Sequence, residues 1–464
     1  MAEATGMATG APGRGDVVPF GEALRVWARV AALSFGGPAG QIAVMHRIVV
    51  DEKRWVGEAR FLHALNFCML LPGPEAHQLA IYLGWLLNGI RGALAAGVFF
   101  VLPGFVAMLA LSVAYVTLGE TPLVEGLFVG LRAAVVAIVL QALLRIGGRT
   151  LTSQATIAVA ALAFVALAFL DAPFPLVILA AGIVGWAAAR AGVKGLAPGH
   201  GHAARGGLAD RDSALGEEPP GRDRDGLRGV LRVAGLTAAL WLAPVAILVL
   251  ALGPDNVFAR IAGFFSLLAV VTFGGAYAVL AYLAQAAVET YGWLSPAEML
   301  DGLGLAETTP GPLIMVVQFI GFLAAWRNPG ALDPMLAAVL GATLTTWVTF
   351  APSFLWILAG APFVERLRGA RGLGGALRAI TAAVVGVILS LALWFASHVI
   401  FAAHVPVRAG WLDFERPVPA SVDPLSLALV AAALVAVFVL RLGLLATLGL
   451  AAAAGAALRL AGIA

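Results

Sequence analysis

Stretches of about 20 consecutive apolar residues recur along this chain, and they restrict its fold more than any other feature, because that length spans a hydrocarbon core. Apolar residues make up 61% of the sequence and charged residues only 12%. A soluble domain could not bury that much apolar surface. The sequence therefore predicts an all-α, polytopic integral membrane protein with about 10–13 membrane segments.

A polar stretch at 191–228 separates two groups of apolar blocks. It holds glycine, proline and charges of both signs without apolar periodicity, so we expect a flexible cytoplasmic linker. His200 and His202 lie there without further ligands, and we expect no metal site. The predicted division is a disordered tail at 1–18, an N-terminal repeat at 19–190, the linker at 191–228, and a C-terminal repeat with extra leading and trailing spans at 229–464.

Several classes of protein are disfavoured by what the chain lacks. The net charge is only +3, so we expect no nucleic-acid partner. Cys68 is the one cysteine and excludes an intrachain disulfide. The metalloprotease motif HExxH, the nucleophile elbow GxSxG and the phosphate loop GxxxxGK[ST] are all missing. We therefore expect neither an enzyme nor a bound cofactor.

The two groups of blocks repeat each other. A Phe-Gly-Gly motif, then a tryptophan, then a Pro-Gly-Pro motif occur twice at a constant offset of 238 residues. Further along, Pro103 matches Pro352 at a larger offset, so the second copy carries small insertions. Internal repeats with broken apolar segments are typical of secondary transporters. The matched residues are Phe35, Gly36 and Gly37 with Phe273, Gly274 and Gly275, Trp55 with Trp293, and Pro72, Gly73 and Pro74 with Pro310, Gly311 and Pro312.

Charges indicate that the two copies are inverted in the membrane. Between the motifs of the first copy lie Arg47, Lys53, Arg54 and Arg60, whereas the matching stretch of the second copy has acidic residues and neither lysine nor arginine. Basic loops stay in the cytoplasm, so the two stretches should face opposite sides. The charge distribution fits this inverted topology if the motif segments are re-entrant, which means that each enters and leaves the membrane on the same side.

The motifs should interrupt their helices at membrane depth. Proline lacks an N–H and glycine permits unusual φ angles, so Pro-Gly-Pro breaks an apolar helix. Such backbone is tolerated only where it is buried in protein or faces water. The helix that resumes after each break presents free N–H groups and a positive dipole end, which suits an anion. Kinks that serve only packing are the alternative.

Ionisable and amide side chains within the apolar blocks are further candidates, because burying them is costly. Arg132 and Arg378 occupy matching Leu-Arg-Ala positions and would suit a tetrahedral dianion, unless they merely extend to the membrane surface. Gln78 and Gln318 follow the breaks and could donate hydrogen bonds to substrate oxygens or serve as polar packing.

Three titratable residues beside the breaks are candidates for proton coupling. Glu75 and His77 follow the first Pro-Gly-Pro, but their counterparts are Leu313 and Met315, so the site is asymmetric. A carboxylate beside an anion must be protonated to avoid repulsion, which suggests that proton binding is coupled to transport. The alternative for Glu75 is an ordinary acidic residue at a helix N-terminus. The alternative for His77 is a residue that simply donates a hydrogen bond. Glu307 is a weaker alternative carboxylate.

These motifs resemble those of the chromate ion transporter family in its long, two-domain form. The segments that carry the resemblance are 34–41 (SFGGPAGQ), 53–55 (KRW), 64–75 (ALNFCMLLPGPE), 273–277 (FGGAY) and 309–312 (TPGP). The resemblance extends from about residue 20 to 400 and implies antiparallel halves, as the charges do. It also implies efflux of chromate across a bacterial inner membrane, driven by protons or the membrane potential, with sulfate as a competing or physiological ion.

The expected partners are therefore chromate or sulfate and the lipid bilayer, and a homodimer is one option for the assembly. A sulfate or other oxyanion carrier is the alternative within transport. A membrane scaffold or sensor, docking partners through the polar linker, is the alternative from another class.

Overall fold

The computed structural model describes residues 17–35, 37–119, 121–193, 195–196, 207–217, 226–273, 276–360 and 371–463. Its first half holds α1 (Phe20–Leu33), α2 (Gly37–His46, continued by a π-helical turn at Arg47–Glu52), α3 (Glu58–Cys68), α4 (Glu75–Leu118), α5 (Pro122–Thr150), α6 (Gln154–Phe169) and α7 (Phe174–Arg190). An additional helix, α8 (Gly226–Leu252), leads into the second half.

The second half repeats these helices in the same order and adds a β-hairpin. It holds α9 (Val257–Val271), α10 (Ala276–Gln285, with a π-helical turn at Ala286–Thr290), α11 (Pro296–Thr308), α12 (Val316–Arg327), α13 (Pro334–Gly360), α14 (Arg371–Ile400), an antiparallel hairpin of β1 (His404–Ala409) and β2 (Leu412–Pro417), α15 (Pro424–Leu434) and α16 (Leu444–Leu460). Helices α12 and α13 together correspond to α4, and the hairpin has no counterpart among the described residues of the first half.

Of the described helices, five are long and apolar enough to cross a membrane. They are Glu75–Leu118, Pro122–Thr150, Arg228–Leu252, Pro334–Gly360 and Gly372–Ile400. Shorter apolar helices surround them, which confirms the prediction of an all-α, multi-pass membrane protein. The predicted domain boundaries stay a prediction, and residues 1–16 of the expected disordered tail lie outside the described residues.

Helix α4 is two helices joined at a sharp turn. Asn88 and Gly89 have non-helical backbone angles, and Gly89 has a φ of 63°. A positive φ suits glycine because it has no Cβ. The chain therefore reverses here, so that the 13-residue part before the turn is too short to span the core and the part after it is a full span.

The broken segments of the first half enter and leave on one side, which we name the basic face because Lys53, Arg54 and Arg60 lie there. Val17 N–H, just before α1, donates to the carbonyl of Leu87 at the turn of α4, 2.9 Å away. Lys53, just after α2, pairs with Glu22 on the first turn of α1 at 2.7 Å. Helices α1 and α2 therefore form one re-entrant hairpin, and α3 with the first part of α4 forms another.

The broken segments of the second half open on the opposite face. At the end of α10, Gln285 donates to Asp171 in the connection between α6 and α7. At the end of α12, Arg327 donates to the carbonyl of Trp293, 2.7 Å away, in the connection between α10 and α11. The two halves are thus inverted, as the charge distribution predicts.

Cysteine labelling tests how these two faces lie in the membrane. The native Cys68 is buried, while Asp51 and Thr290 are exposed on the two faces at positions one residue away from exact equivalence in the repeat. We expect Asp51→Cys to react with a membrane-impermeant maleimide only from the cytoplasmic side and Thr290→Cys only from the external side. Labelling of both from one side would contradict the inverted arrangement.

Part of the polar linker is fixed to the first half rather than flexible. Segment 207–217 lies against the turn between α2 and α3: Glu58 N–H donates to Leu208 at 2.9 Å and Leu215 N–H to Trp55 at 3.0 Å. The Leu215 side chain is buried in the same core as Trp55. The sequence prediction of a flexible loop is therefore wrong for this segment, because backbone pairing and one apolar anchor, invisible to periodicity, hold it.

Candidate functional site

The two Pro-Gly-Pro motifs break the chain in the same way. Gly73 has a φ of 118° and Gly311 a φ of 106°, angles that only glycine adopts without strain. A proline on each side prevents the helix from continuing through the glycine. Helix α4 begins directly after the first motif, and a short 3₁₀ turn (Leu313–Met315) leading into α12 follows the second.

Each Pro-Gly-Pro break is bonded to the Phe-Gly-Gly break of the other half. Gly73 N–H donates to the carbonyl of Thr272 at 2.8 Å, and Gly311 N–H donates to the carbonyl of Ser34 at 2.7 Å. Both donors and both acceptors are related by the 238-residue offset of the repeat. The inverted halves therefore bring the four breaks together inside the bundle, where irregular backbone finds its partners in protein.

Both helices that restart after these breaks have uncapped beginnings. Pro74 and Pro312 precede them, and neither supplies a side-chain cap. The first backbone bond of α4 runs from Gln78 to Pro74, so the N–H groups of residues 75–77 have no backbone acceptor within the helix. Free N–H groups and the positive end of the helix dipole make such a terminus favourable for an anion.

Three glutamines support the breaks. Gln41 Nε2 donates to the carbonyl of Gly311, Gln78 Nε2 to Pro72 at 2.7 Å, and Gln318 Nε2 to Phe105 at 3.0 Å. The amide N–H groups of Gln78 and Gln318 bond backbone carbonyls, Gln78 at the first break and Gln318 on α4, and their role in substrate binding stays a prediction. The sequence analysis missed Gln41 as a site residue, although a polar residue in an apolar run after Phe-Gly-Gly was the signal.

Glu75 and His77 lie at the start of α4, beside the first break. Glu75 is partly buried, and no other residue in the described part of the chain forms a hydrogen bond or ion pair with its carboxylate. His77 is fully buried between the rings of Phe350 and Phe354, 5.1 and 5.6 Å away. Their proposed role in proton coupling stays a prediction.

Glu307 belongs to the second half and lies one residue from the end of α11. It is buried and accepts a hydrogen bond of 2.7 Å from the hydroxyl of Tyr277 on α10. This bond joins the two re-entrant hairpins of the second half near their tips. Glu307 therefore has a structural partner, which Glu75 does not have among the described residues.

Arg132 is engaged by a carboxylate that the sequence analysis did not assign to it. Its Nε and one terminal nitrogen contact the two carboxylate oxygens of Asp301 at 2.6 and 2.8 Å, and Tyr115 donates to Asp301 at 2.9 Å. Asp301 is fully buried on α11, a helix that begins with a capping box between Ser295 and Glu298. The pair joins α5 of the first half to α11 of the second, and a substrate would have to compete with Asp301 for this guanidinium.

Arg378 lies away from the breaks. It donates to Thr152 at 2.7 Å, in the connection between α5 and α6 near the basic face. Arg132 and Arg378 therefore occupy equivalent positions in the repeat but lie in different surroundings. Substrate binding by Arg132 and Arg378 stays a prediction. The distance of Arg378 from the breaks does not favour it for that residue.

The Phe-Gly-Gly motifs are only partly described. Phe35 lies in the first break and Phe273 packs against the main hydrophobic core, while Gly37 has a φ of 73°. Gly36, Gly274 and Gly275 lie outside the described residues. Within the described ranges there is no group of three or more histidine, cysteine or acidic residues that could hold a metal ion.

Two inverted repeats of re-entrant helices, with their breaks meeting inside a membrane bundle, define a membrane transporter. The chain belongs to the chromate transporter family, whose model matches residues 21–186 and 259–456. It is 32% identical over 361 residues to a chromate transport protein of Pseudomonas aeruginosa, covering 77% of this chain and 76% of that protein. No solved structure matches it.

Two further relatives agree with this assignment. A chromate transport protein of Cupriavidus metallidurans is 28% identical over 361 residues, 78% of each chain. An uncharacterized transporter of Methanocaldococcus jannaschii is 26% identical over 371 residues, covering 79% of this chain and 82% of that protein. Both matches extend across the two halves rather than one motif.

Proposed function

We propose that this protein exports chromate across the bacterial inner membrane, driven by protons or the membrane potential. The observation that carries the proposal is the uncapped start of α4 at the junction where the breaks bond across the two halves. Its first N–H groups have no backbone acceptor within the helix and stand at the positive end of the helix dipole, so a tetrahedral dianion would find donors there.

The inverted repeats supply a mechanism for moving the ion. A pair of re-entrant hairpins opens on each face, and the breaks between them lie at the junction. Movement of one half against the other would expose the junction first to the basic face and then to the opposite face. Such a movement would have to rearrange the hydrogen bonds from Gly73 to Thr272 and from Gly311 to Ser34, which join the two halves.

Flux measurements test the proposed function. Everted membrane vesicles that contain the protein should accumulate chromate when energised, because their interior corresponds to the external side. Uptake no greater than in vesicles without the protein would refute export. Sulfate, a tetrahedral dianion of similar size, places nearly the same demands on helix ends, so competition by sulfate measures how far the site distinguishes the two ions.

Proton coupling is tested by Glu75→Gln. We expect this substitution to flatten the pH dependence of chromate uptake, because it removes a carboxylate that lies beside the first break without a partner among the described residues. Glu125→Gln is the matched control, since Glu125 forms a partly exposed pair with Arg459 at the far end of α5. An unchanged pH profile for Glu75→Gln would exclude Glu75 as the coupling residue.

A further inference from the structure

The two Pro-Gly-Pro breaks are equivalent in the repeat but differ in their polar surroundings. At the second break, Gln41 donates to the Gly311 carbonyl, whereas the matching residue near the first break is Val279, which cannot donate. Gln78 and Gln318 each leave one buried carbonyl oxygen without a partner in the described part of the chain, so this matched pair does not distinguish the breaks. A second difference lies in the helix that covers each break.

The second break is covered by backbone. Gly104 follows Pro103 in α4, and a Cβ added to it would lie 2.7 Å from the Pro310 carbonyl oxygen. A Cβ added to Gly311 would lie 3.1 Å from the Gly104 Cα. Both distances are shorter than an ordinary contact, so no space for a ligand remains between α4 and this break.

The first break is covered by a hydroxyl group. The residue that matches Gly104, following Pro352 in α13, is Ser353. The nearest atom to a Cβ on Gly73 would be Gln78 Nε2 at 2.9 Å, the end of a flexible side chain rather than backbone, and Ser353 Oγ would follow at 3.6 Å. The Ser353 side chain is 1% exposed, and its hydroxyl has no hydrogen-bond partner in the described part of the chain.

This free hydroxyl is unusual within its own helix. Thr345, Thr346 and Thr349 of α13 each donate to the carbonyl four residues earlier, at 2.7–2.9 Å. A serine or threonine in an apolar helix ordinarily satisfies itself in this way. A buried hydroxyl without a partner costs free energy, so its position at a break suggests that a ligand accepts its hydrogen bond.

We propose that a tetrahedral oxyanion binds at the first break only, between Ser353 and the start of α4. Ser353 donates its hydroxyl hydrogen, and the free N–H groups of residues 75–77 face the same anion. His77 packs between Phe350 and Phe354, which precede and follow Ser353 on α13. The second break serves as a closed contact between the halves. The identification of the ion as chromate rests on the proposed function, whereas the location of the binding site does not.

Ligand-dependent thermal unfolding of the purified protein tests this location. Chromate should raise the unfolding temperature of the wild type, because a ligand that binds the folded state stabilises it. We expect Ser353→Ala to need about tenfold more chromate for the same shift, since a hydrogen bond to a charged ligand is lost. Without chromate, Ser353→Ala should unfold no earlier than the wild type, whereas a purely structural serine would leave a less stable protein.

Ser112→Ala is the matched control. Ser112 is equally buried in α4, but its hydroxyl donates to its own helix at Met108, 2.7 Å away. This variant should respond to chromate as the wild type does. If Ser353→Ala fails to fold, Ser353→Cys keeps the volume with a weaker donor and should show the same loss of response.

The outcomes separate this inference from the proposed function. Equal stabilisation of wild type and Ser353→Ala would overturn the inference even if vesicles accumulate chromate, and so would the absence of stabilisation of the wild type by both chromate and sulfate. Stabilisation that depends on Ser353, in a protein whose vesicles accumulate no chromate, would support the site and refute export.

Discussion

Replacing Asp301 by asparagine is expected to lower the free energy of unfolding by about 3 kcal/mol, because it leaves the charge of Arg132 without its partner in the bundle. The wild-type carboxylate is fully buried and accepts three hydrogen bonds, two from Arg132 and one from Tyr115. The arginine side chain is 29% exposed, which places the effect at the lower end of the range for buried pairs. Thermal unfolding in detergent measures it.

Asp255→Asn is the control for this substitution. Asp255 pairs with Arg260 at 2.8 Å, but its side chain is 91% exposed, so its loss should change stability by about 0.5 kcal/mol or less. The double variant Arg132→Met with Asp301→Leu should recover most of the lost stability, because removing both charges removes the uncompensated one. A stable Asp301→Asn variant would contradict the structural role of the pair.

The same double variant tests the sequence prediction that Arg132 binds the substrate. If the guanidinium serves Asp301, chromate should stabilise the double variant as strongly as it stabilises the wild type. If Arg132 contacts the ion, the response to chromate should be lost although the protein is folded.

Replacing Gly311 by alanine is expected to abolish chromate uptake and to destabilise the protein by about 2 kcal/mol, a cost typical of strained backbone. Its φ of 106° is unfavourable for alanine, and the new Cβ would stand 3.1 Å from the backbone of Gly104. Neither atom can move without separating the second break from α4. Uptake by vesicles and thermal unfolding measure the two effects.

Two other glycines provide matched comparisons. Gly73→Ala meets the same strain at a φ of 118°, but the nearest atom is Gln78 Nε2 at 2.9 Å, the end of a flexible side chain, so we expect a smaller loss of stability. Gly21→Ala in α1 meets nothing within 4 Å and should be neutral or stabilising, because alanine favours the helix. Equal stability of all three variants would contradict the close contact at the second break.

Much of the architecture could be predicted from local and periodic features. The length of the apolar blocks predicted the spans, and Pro-Gly-Pro predicted the breaks, because proline and glycine act on the backbone next to them. The basic residues between Gly37 and Pro72, against acidic ones in the second copy, predicted inversion, because the membrane sorts charge by side.

The site was harder to predict, because its contacts join residues far apart in sequence. Arg132 and Asp301 are 169 positions apart, and an arginine in an apolar run indicates that it needs a partner without indicating which one. The sequence analysis did not single out Ser353, because whether its hydroxyl is free depends on where α13 lies against Gly73.

The sequence by itself determined that this protein is a membrane bundle of two inverted repeats with paired breaks, since helix length, backbone chemistry and charge sorting act locally. Only the tertiary structure decided that each Pro-Gly-Pro break bonds the Phe-Gly-Gly break of the other half, that Asp301 holds Arg132, and that the equivalent breaks differ. The physical reason is that hydrogen bonds and close contacts depend on the packing of helices, which repeats in the sequence leave undetermined.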